Sequence, residues 1–526
     1  MTVRTYLHVL GPQLSPEEIL EALGRRFSLT EPDRSRERLT FLDTFDRRLL
    51  SQGLTLSARS AGRGVALRLW GRNGEGWEAR APGTPAFARE VPAGPLREAL
   101  TPAADVRRLL PLARVRWEEE LRGILNEDGK TVARLLLREG RASLPDGKEK
   151  HTLPPHLHLL PLKGYEADFR DLEAFLLETP GTEASGEGEL SLVLNALGLS
   201  AAPCTSKLDL ELDPAMEAGE AARVIHRRLL ETIRANEEGV IRDLDPEFLH
   251  DFRVAVRRTR SALTQVKGVF PPATVARFKR EFKWLGDRTG PTRDMDVYLL
   301  KIPDYRAALP QGVEDQLEPL VLFLEKKKRQ AQGGLRRTLG SSRYARLLRD
   351  WSAFLDEPPP ECPETPNAHR PIGEVASHGI WKAYRRVLKR GKATDRNTSA
   401  DALHALRIDC KKLRYLLTFF QSLYREEEAA ALIKKLKKLQ DNLGDFNDLQ
   451  VQREALEGFA HEMMEAGNAS PETLMAMGRL MGRLETEQEA EREAFHHRFR
   501  RFSRGKNRKR FNRLFHGPPA VDQEAP

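Results

Sequence analysis

The chain has 526 residues, 40% apolar and 31% charged, which is enough for three or four domains with buried cores and excludes a wholly disordered or collagen-like protein. Its longest apolar stretch, Leu190 to Pro203, is broken by Asn195 and falls short of the ~20 residues needed to cross a membrane. The net charge of +9 is unevenly placed: residues 1–212 carry 29 Lys+Arg against 31 Asp+Glu, and residues 213–526 carry 57 against 46, so the C-terminal part is the one suited to an anionic partner.

The opening Met1-Thr-Val-Arg-Thr-Tyr shows no leader pattern, and Cys204, Cys362 and Cys410 are too few and too scattered for a disulfide framework or a zinc site. A reducing cytoplasm is the expected compartment. Short alternating or β-branched runs predict strands at Val3–Leu10, Leu39–Leu42, Leu54–Arg59, Val65–Arg72, Val115–Leu121 and Thr131–Arg138, with Gly53, Gly62, Gly64, Gly74 and Gly129 between them. Many short strands favour a closed or nearly closed antiparallel sheet, because closure removes exposed edges. Helical spacing then appears over Tyr165–Leu177, and Thr179–Glu189 reads as loop.

From Asp213 onward the apolar period is 3.6 almost to the end, interrupted by six prolines between Asp356 and Pro371. The expected organisation is multidomain α+β: an N-terminal antiparallel β-barrel or tunnel-like domain (1–180), a linker (181–212), a helical repeat (213–355), a Pro-rich linker (356–372), a second helical repeat (373–515) and a disordered tail (516–526). Just before that tail, Phe495–Arg513 holds nine Lys/Arg and no acid.

The two helical halves repeat at an offset of 154. His250, Arg253, Arg257, Arg258 and Arg260 have the spacing of His404, Arg407, Lys411, Lys412 and Arg414, and Arg280 and Lys283 fall on Lys434 and Lys437. Positions 250, 253, 257 and 260 lie within about 80° of one another on a helix of 100° per residue. They form a cationic stripe, and Phe252, Val256, Thr259, Leu263 and Val266 form an apolar stripe a third of a turn away. Cations stacked at i and i+3 or i+4 repel unless an anion neutralises them. Between Arg253 and Arg293 stand eleven Lys/Arg and two acids, Glu281 and Asp287.

These motifs resemble the CHAD domain, the conserved-histidine α-helical domain. The resemblance implies two repeated four-helix bundles, and binding of inorganic polyphosphate in a basic groove between them. It assigns His250, Arg253, Arg257, Arg258, Arg260, Arg280 and Lys283 with their mates His404, Arg407, Lys411, Lys412, Arg414, Lys434 and Lys437 as polyphosphate contacts, and it implies association with polyphosphate granules. The repeats differ where Arg293 becomes Asn447 and Asp296 becomes Gln450. Neither histidine has a second His, Cys or carboxylate at i+3 or i+4, so a metal role is not expected of them.

The segment Asp43-Thr-Phe-Asp46-Arg-Arg-Leu-Leu, leading to Gly53 and Arg59, is similar to CYTH or triphosphate-tunnel proteins. Enzymes of that class place a Glu-x-Glu-x-Lys signature on the first strand to hold metal, and here that strand reads Arg4-Thr-Tyr6-Leu-His8. Magnesium needs oxygen ligands, so the resemblance implies a degenerate tunnel that does not hydrolyse phosphate and needs no cofactor or metal. Arg59, Arg68, Arg116, Arg122, Arg134 and Arg138 remain as strand cations, with Glu118 and Glu120 as acids. Two other readings compete: a metal-dependent triphosphatase with a CHAD targeting domain, and a nucleic-acid-binding protein. The second asks for aromatic platforms or base-reading amides, and only Tyr415 lies in the second basic stripe. A membrane partner is not expected.

Overall fold

The computed structural model describes residues 6–71, 75–185, 188–199, 208, 210–358, 363–395 and 398–516. Arg4, Cys204, Cys362 and the expected tail from 517 lie outside these residues. The chain divides into two compact units, Met1–Thr205 and Ser206–Pro526. Among the described residues no helix is long and apolar enough to cross a membrane.

The first unit runs β1 (Tyr6–Leu10), α1 (Pro16–Arg26), β2 (Ser28–Leu29), β3 (Asp33–Asp43), α2 (Arg48–Ser51), β4 (Leu54–Ala61), β5 (Gly64–Gly71), β6 (Gly76–Ala81), α3 (Pro95–Ala104), β7 (Leu110–Leu125), β8 (Thr131–Ser143), β9 (Lys150–Pro161), α4 (Glu166–Glu178), β10 (Thr182–Ser185) and α5 (Glu189–Ala196). All pairings are antiparallel, in the order β10-β1-β9-β8-β7-β3-β4-β5-β6, with β2 added on β7. The antiparallel domain is as expected, but among the described residues its ladder stays open, with β6 and β10 at the ends. Helices do the covering that closure would have done. α1 and α4 pack Ile19, Leu23, Phe169, Leu172 and Leu176 against β8 and β9, α3 packs Leu96 and Leu100 against β4 and β5, and α5 lies across the opposite face.

The segment expected as a linker from 181 therefore starts inside the β unit. β10 is an edge strand held by backbone pairing with β1, from Leu7↔Ser185 to Leu10↔Thr182. Its sequence, Thr-Glu-Ala-Ser, has no apolar alternation from which to read it. α5 buries Leu190, Val193 and Leu194 against Leu39, Phe41, Val115 and Trp117.

The second unit is helical: α6 (Ala218–Arg242), α7 (Pro246–Gln265), α8 (Pro272–Ala307), α9 (Glu318–Leu339), α10 (Ser342–Asp356), α11 (Ile372–Lys392), α12 (Ala400–Phe419), α13 (Glu426–Glu465), α14 (Pro471–Phe502) and α15 (Gly505–Phe515). Each repeat thus adds a short fifth helix, α10 or α15, to the four expected. Asp245, Ser341, Ser399 and Ser470 cap α7, α10, α12 and α14 through side-chain oxygens. α6 and α11 have no such cap, and their orphan N–H groups are satisfied reciprocally. Ala218 and Gly219 donate to the carbonyls of Arg370 and Ala368 at 2.9 and 2.8 Å, and their repeat mates Ile372 and Gly373 donate to those of Met216 and Pro214 at 2.8 and 3.0 Å. The second half of the Pro-rich linker is thereby held against α6.

The repeats also share a core. Tyr298, Ile302 and Tyr305 of α8 and Leu320 and Leu324 of α9 pack with Leu456, Phe459 and Met463 of α13 and Met477 and Leu480 of α14. Tyr305 donates its hydroxyl to Gln452 at 2.8 Å within this core.

Candidate polyanion interface

α7 buries Phe248, Phe252, Val256, Thr259 and Leu263, as its apolar stripe requires, and this turns the histidine and the arginines toward α8 and α12. His250 Nδ1 accepts a hydrogen bond from Arg293 of α8 at 2.9 Å. Arg293 also donates to the carbonyl of Pro246 at 3.0 Å. Arg253 reaches across to the carbonyl of Gly286 and the hydroxyl of Thr289, at 2.8 and 2.7 Å. A side chain at Gly286 or Gly290 would stand 3.6 Å from the guanidinium of Arg260 or Arg253. Burial, with Arg257 and Arg293 nearby, pulls the Arg253 guanidinium below its ordinary value against the opposing pull of Asp294 and Asp287.

The second repeat reproduces this frame with different partners. His404 Nδ1 pairs with the side-chain amide of Asn447, the residue 43 positions on, as Arg293 is from His250. Arg407 pairs with Asp448 at 3.0 Å. Asp296 is buried and ion-paired to Lys328 at 2.9 Å, whereas its mate Gln450 donates to Glu454 at 2.9 Å. Arg253 and Arg407 therefore tie helices together as well as carrying charge.

The two stripes meet where α7 packs against α12. Lys411, half-buried, is pushed down to about 8, first by burial and then by Arg407, Arg257 and Arg414, against the opposing pull of Asp448. Arg258 is likewise lowered by burial, Arg414 and Arg257, with Tyr415 and Asp251 opposing. Among the described residues, Arg257, Arg260, Arg280, Lys411, Lys412, Arg414, Lys434 and Lys437 form no ion pair, while Lys283 is held by Asp287 at 2.7 Å. Arg280, Lys283, Lys434 and Lys437 are exposed on α8 and α13. What results is a surface of like charges brought together by packing rather than balanced by acids.

In the β unit the strand arginines divide by alternation. Arg59, Arg68, Arg134 and Arg138 share the face of Glu37 and Glu119, and Arg116 and Arg122 lie on the other face with Glu118 and Glu120. On the first face Arg138 is bound by Glu119, Glu189 and Glu37 at 2.6, 2.8 and 3.2 Å, Arg68 by Glu78 at 2.9 Å, and Arg59 lies 3.6 Å from Glu37. On the other, Arg122 and Arg34 hold Glu120 at 2.7 and 3.0 Å. His156 and His158, which the sequence reading passed over, stand beside Glu189 on the first face. Their His-x-His spacing in a strand was the available signal.

Among curated proteins, an uncharacterized protein of Mycobacterium tuberculosis is 32% identical over 222 residues, 40% of this chain and 39% of that protein. The match thus spans about two fifths of the relative's length. Among solved structures, the CHAD domain of the plant Ricinus communis is similar at 30% identity, covering 56% of this chain and 97% of that one with a TM-score of 0.47. A Hippeastrum protein described as having a dominant triphosphatase activity is similar at 16% identity, over 38% of this chain and 97% of that one, with a TM-score of 0.25. The CHAD domain family matches residues 224–457, a range that contains both histidine-led stripes, and the helical unit of this protein therefore carries a CHAD domain.

Proposed function

We propose that the helical unit binds inorganic polyphosphate on the basic surface where α7 and α12 meet. The carrying observation is the crowding of Lys411 by Arg257 of the other repeat and by Arg407 and Arg414 of its own. Such an arrangement costs free energy in the empty protein and is relieved by an anion that touches both repeats. A chain of phosphates without bases fits better than a nucleic acid, because the aromatic rings of α7 and α12, Phe248, Phe252, Tyr415 and Phe419, are buried and offer no stacking platform.

The β unit, on this reading, is an accessory that does not cleave phosphate chains. On the face that α5 covers, Arg59, Arg68 and Arg138 are engaged by the unit's own carboxylates, and α5 fills part of that face with apolar side chains. The experiment is competition: the protein is loaded with long-chain polyphosphate and challenged with DNA, RNA and heparin at matched phosphate or sulfate concentration. The reading expects efficient displacement by polyphosphate alone. Equal displacement by a nucleic acid would favour the nucleic-acid reading.

A further inference from the structure

β9 places His156 and His158 on one face of the sheet, opposite Arg138 and Leu136 of β8. α5 brings Glu189 over the same spot, and one ligand atom from each of the three residues lies within 4.8 Å of the others. His156 Nε2 is 3.6 Å from Glu189 Oε1, too far for a hydrogen bond and close to the ~3.3 Å that separates two ligands of a tetrahedral zinc ion at its usual bond lengths.

Three further features prepare these atoms for a metal. The Nε2 atoms of both histidines are buried without a hydrogen-bond partner, a condition that costs stability until a partner is supplied. His156 Nδ1 stands 3.1 Å from the carbonyl of Pro154. A carbonyl only accepts, so Nδ1 carries a proton, and the neutral ring then presents its lone pair at Nε2, as in metal-bound histidines oriented by a backbone oxygen. The ring of His158 lies beside that of His156, with centroids 5.1 Å apart, so its orphaned Nε2 shares the same buried spot.

The surroundings carry surplus negative charge. Glu37, Glu119 and Glu189 all face the buried guanidinium of Arg138, and with Arg59 3.6 Å from Glu37 three carboxylates meet two guanidinium groups. If Glu189 turned to a metal, Arg138 would keep its bonds to Glu119 and Glu37.

We propose that His156, His158 and Glu189 form a site for one divalent transition-metal ion of the zinc class. Two imidazoles and one carboxylate suit such an ion, whereas magnesium and calcium require oxygen donors. The ion pins α5 to β9 and gives the two orphaned nitrogens their partner. Three protein ligands leave one position of a tetrahedron open.

The test uses the full chain without an affinity tag, stripped with chelator and titrated with Co²⁺ and Zn²⁺. The proposal expects one equivalent bound with the visible absorption of tetrahedral cobalt, and a rise in melting temperature on adding Zn²⁺. His156→Gln with His158→Gln should abolish both, Glu189→Gln should weaken binding at least tenfold, and His151→Ala, on the same strand, should change neither. If the double variant does not fold, Glu189→Gln decides. No bound cobalt in the parent protein, or unchanged affinity in Glu189→Gln, overturns the proposal.

Discussion

The backbone N–H of Gly219 donates to the carbonyl of Ala368 at 2.8 Å, and 154 residues on, Gly373 returns the bond to Pro214 at 3.0 Å. The exchange joins the N-termini of α6 and α11 about a local twofold, and it extends to the backbone the register first visible in the cationic side chains. Equivalent helices α7 and α12 then pack against each other, which places Arg257 beside the position of its own mate, Lys411.

Lys411 should make binding sensitive to pH. Its free value near 8 lies below the ordinary lysine value of 10.5, so it is charged below pH 8 and loses its proton as pH rises through 8. A bound polyanion favours the charged form and raises that value. Affinity should therefore fall between about pH 8 and 10, with protons taken up on binding, as calorimetry in buffers of different ionisation enthalpy would record. Lys411→Arg should flatten the dependence, because a guanidinium keeps its charge throughout.

Acid should destabilise the helical unit through His226. Its ring is buried 5.0 Å from that of Trp351, and burial lowers it from 6.5 to about 3. Below pH 6.5 the unfolded chain binds a proton that the folded chain refuses. The contribution is thus complete above 6.5 and falls as pH drops, by at most about 1.4 kcal/mol per pH unit. Denaturant titrations at pH 7.5 and 5 should differ by roughly 2 kcal/mol more in the parent than in His226→Leu.

Gly239 marks a close approach in the first bundle, since a Cβ there would stand 2.1 Å from the ring of Phe248, itself buried. Gly239→Ala should cost about 1–3 kcal/mol through overpacking, despite the better helix propensity of alanine. A higher melting temperature in the variant would show that the ring moves aside freely.

The full chain should release no phosphate from tripolyphosphate with Mg²⁺ or Mn²⁺. Arg138 is engaged by three carboxylates of the same face, and the first strand lacks the signature acids. Turnover that persists through purification and disappears in Arg59→Ala or Arg138→Ala would contradict this.

The helical half was legible because its signals are local and doubled: an apolar period of 3.6 and a charge pattern repeated at one offset. The β half was legible as strands but not as to which arginines face inward. That depends on register, and the one-residue step between Glu118 and Glu119 decides which carboxylate meets Arg138. α5 was hidden because it is only eight residues long, and its one polar pair at helical spacing, Ser191 and Asn195, is too short a signal to set a period. The backbone exchange at Gly219 involves carbonyls and amides, which leave no trace in side-chain pattern. His250 carried the motif, yet its bond to Arg293 and the matching pair of His404 with Asn447 join residues 43 apart and required the structure.

The central claim is that one polyanion touches both repeats, and the most direct measurement is the salt dependence of long-chain polyphosphate binding by Arg257→Glu, Lys411→Glu and the double variant. A chain touching both repeats gains avidity that a short one does not, and each neutralised phosphate contributes about −0.7 to the log–log salt slope if polyphosphate behaves as a single strand. The account predicts that the double variant flattens the slope by roughly 1–2 units, that each single substitution costs more affinity for a hundred-mer than for a trimer, and that the circular-dichroism spectrum stays helical. A slope equal to that of the parent protein, or equal losses for the trimer and the hundred-mer, would contradict it.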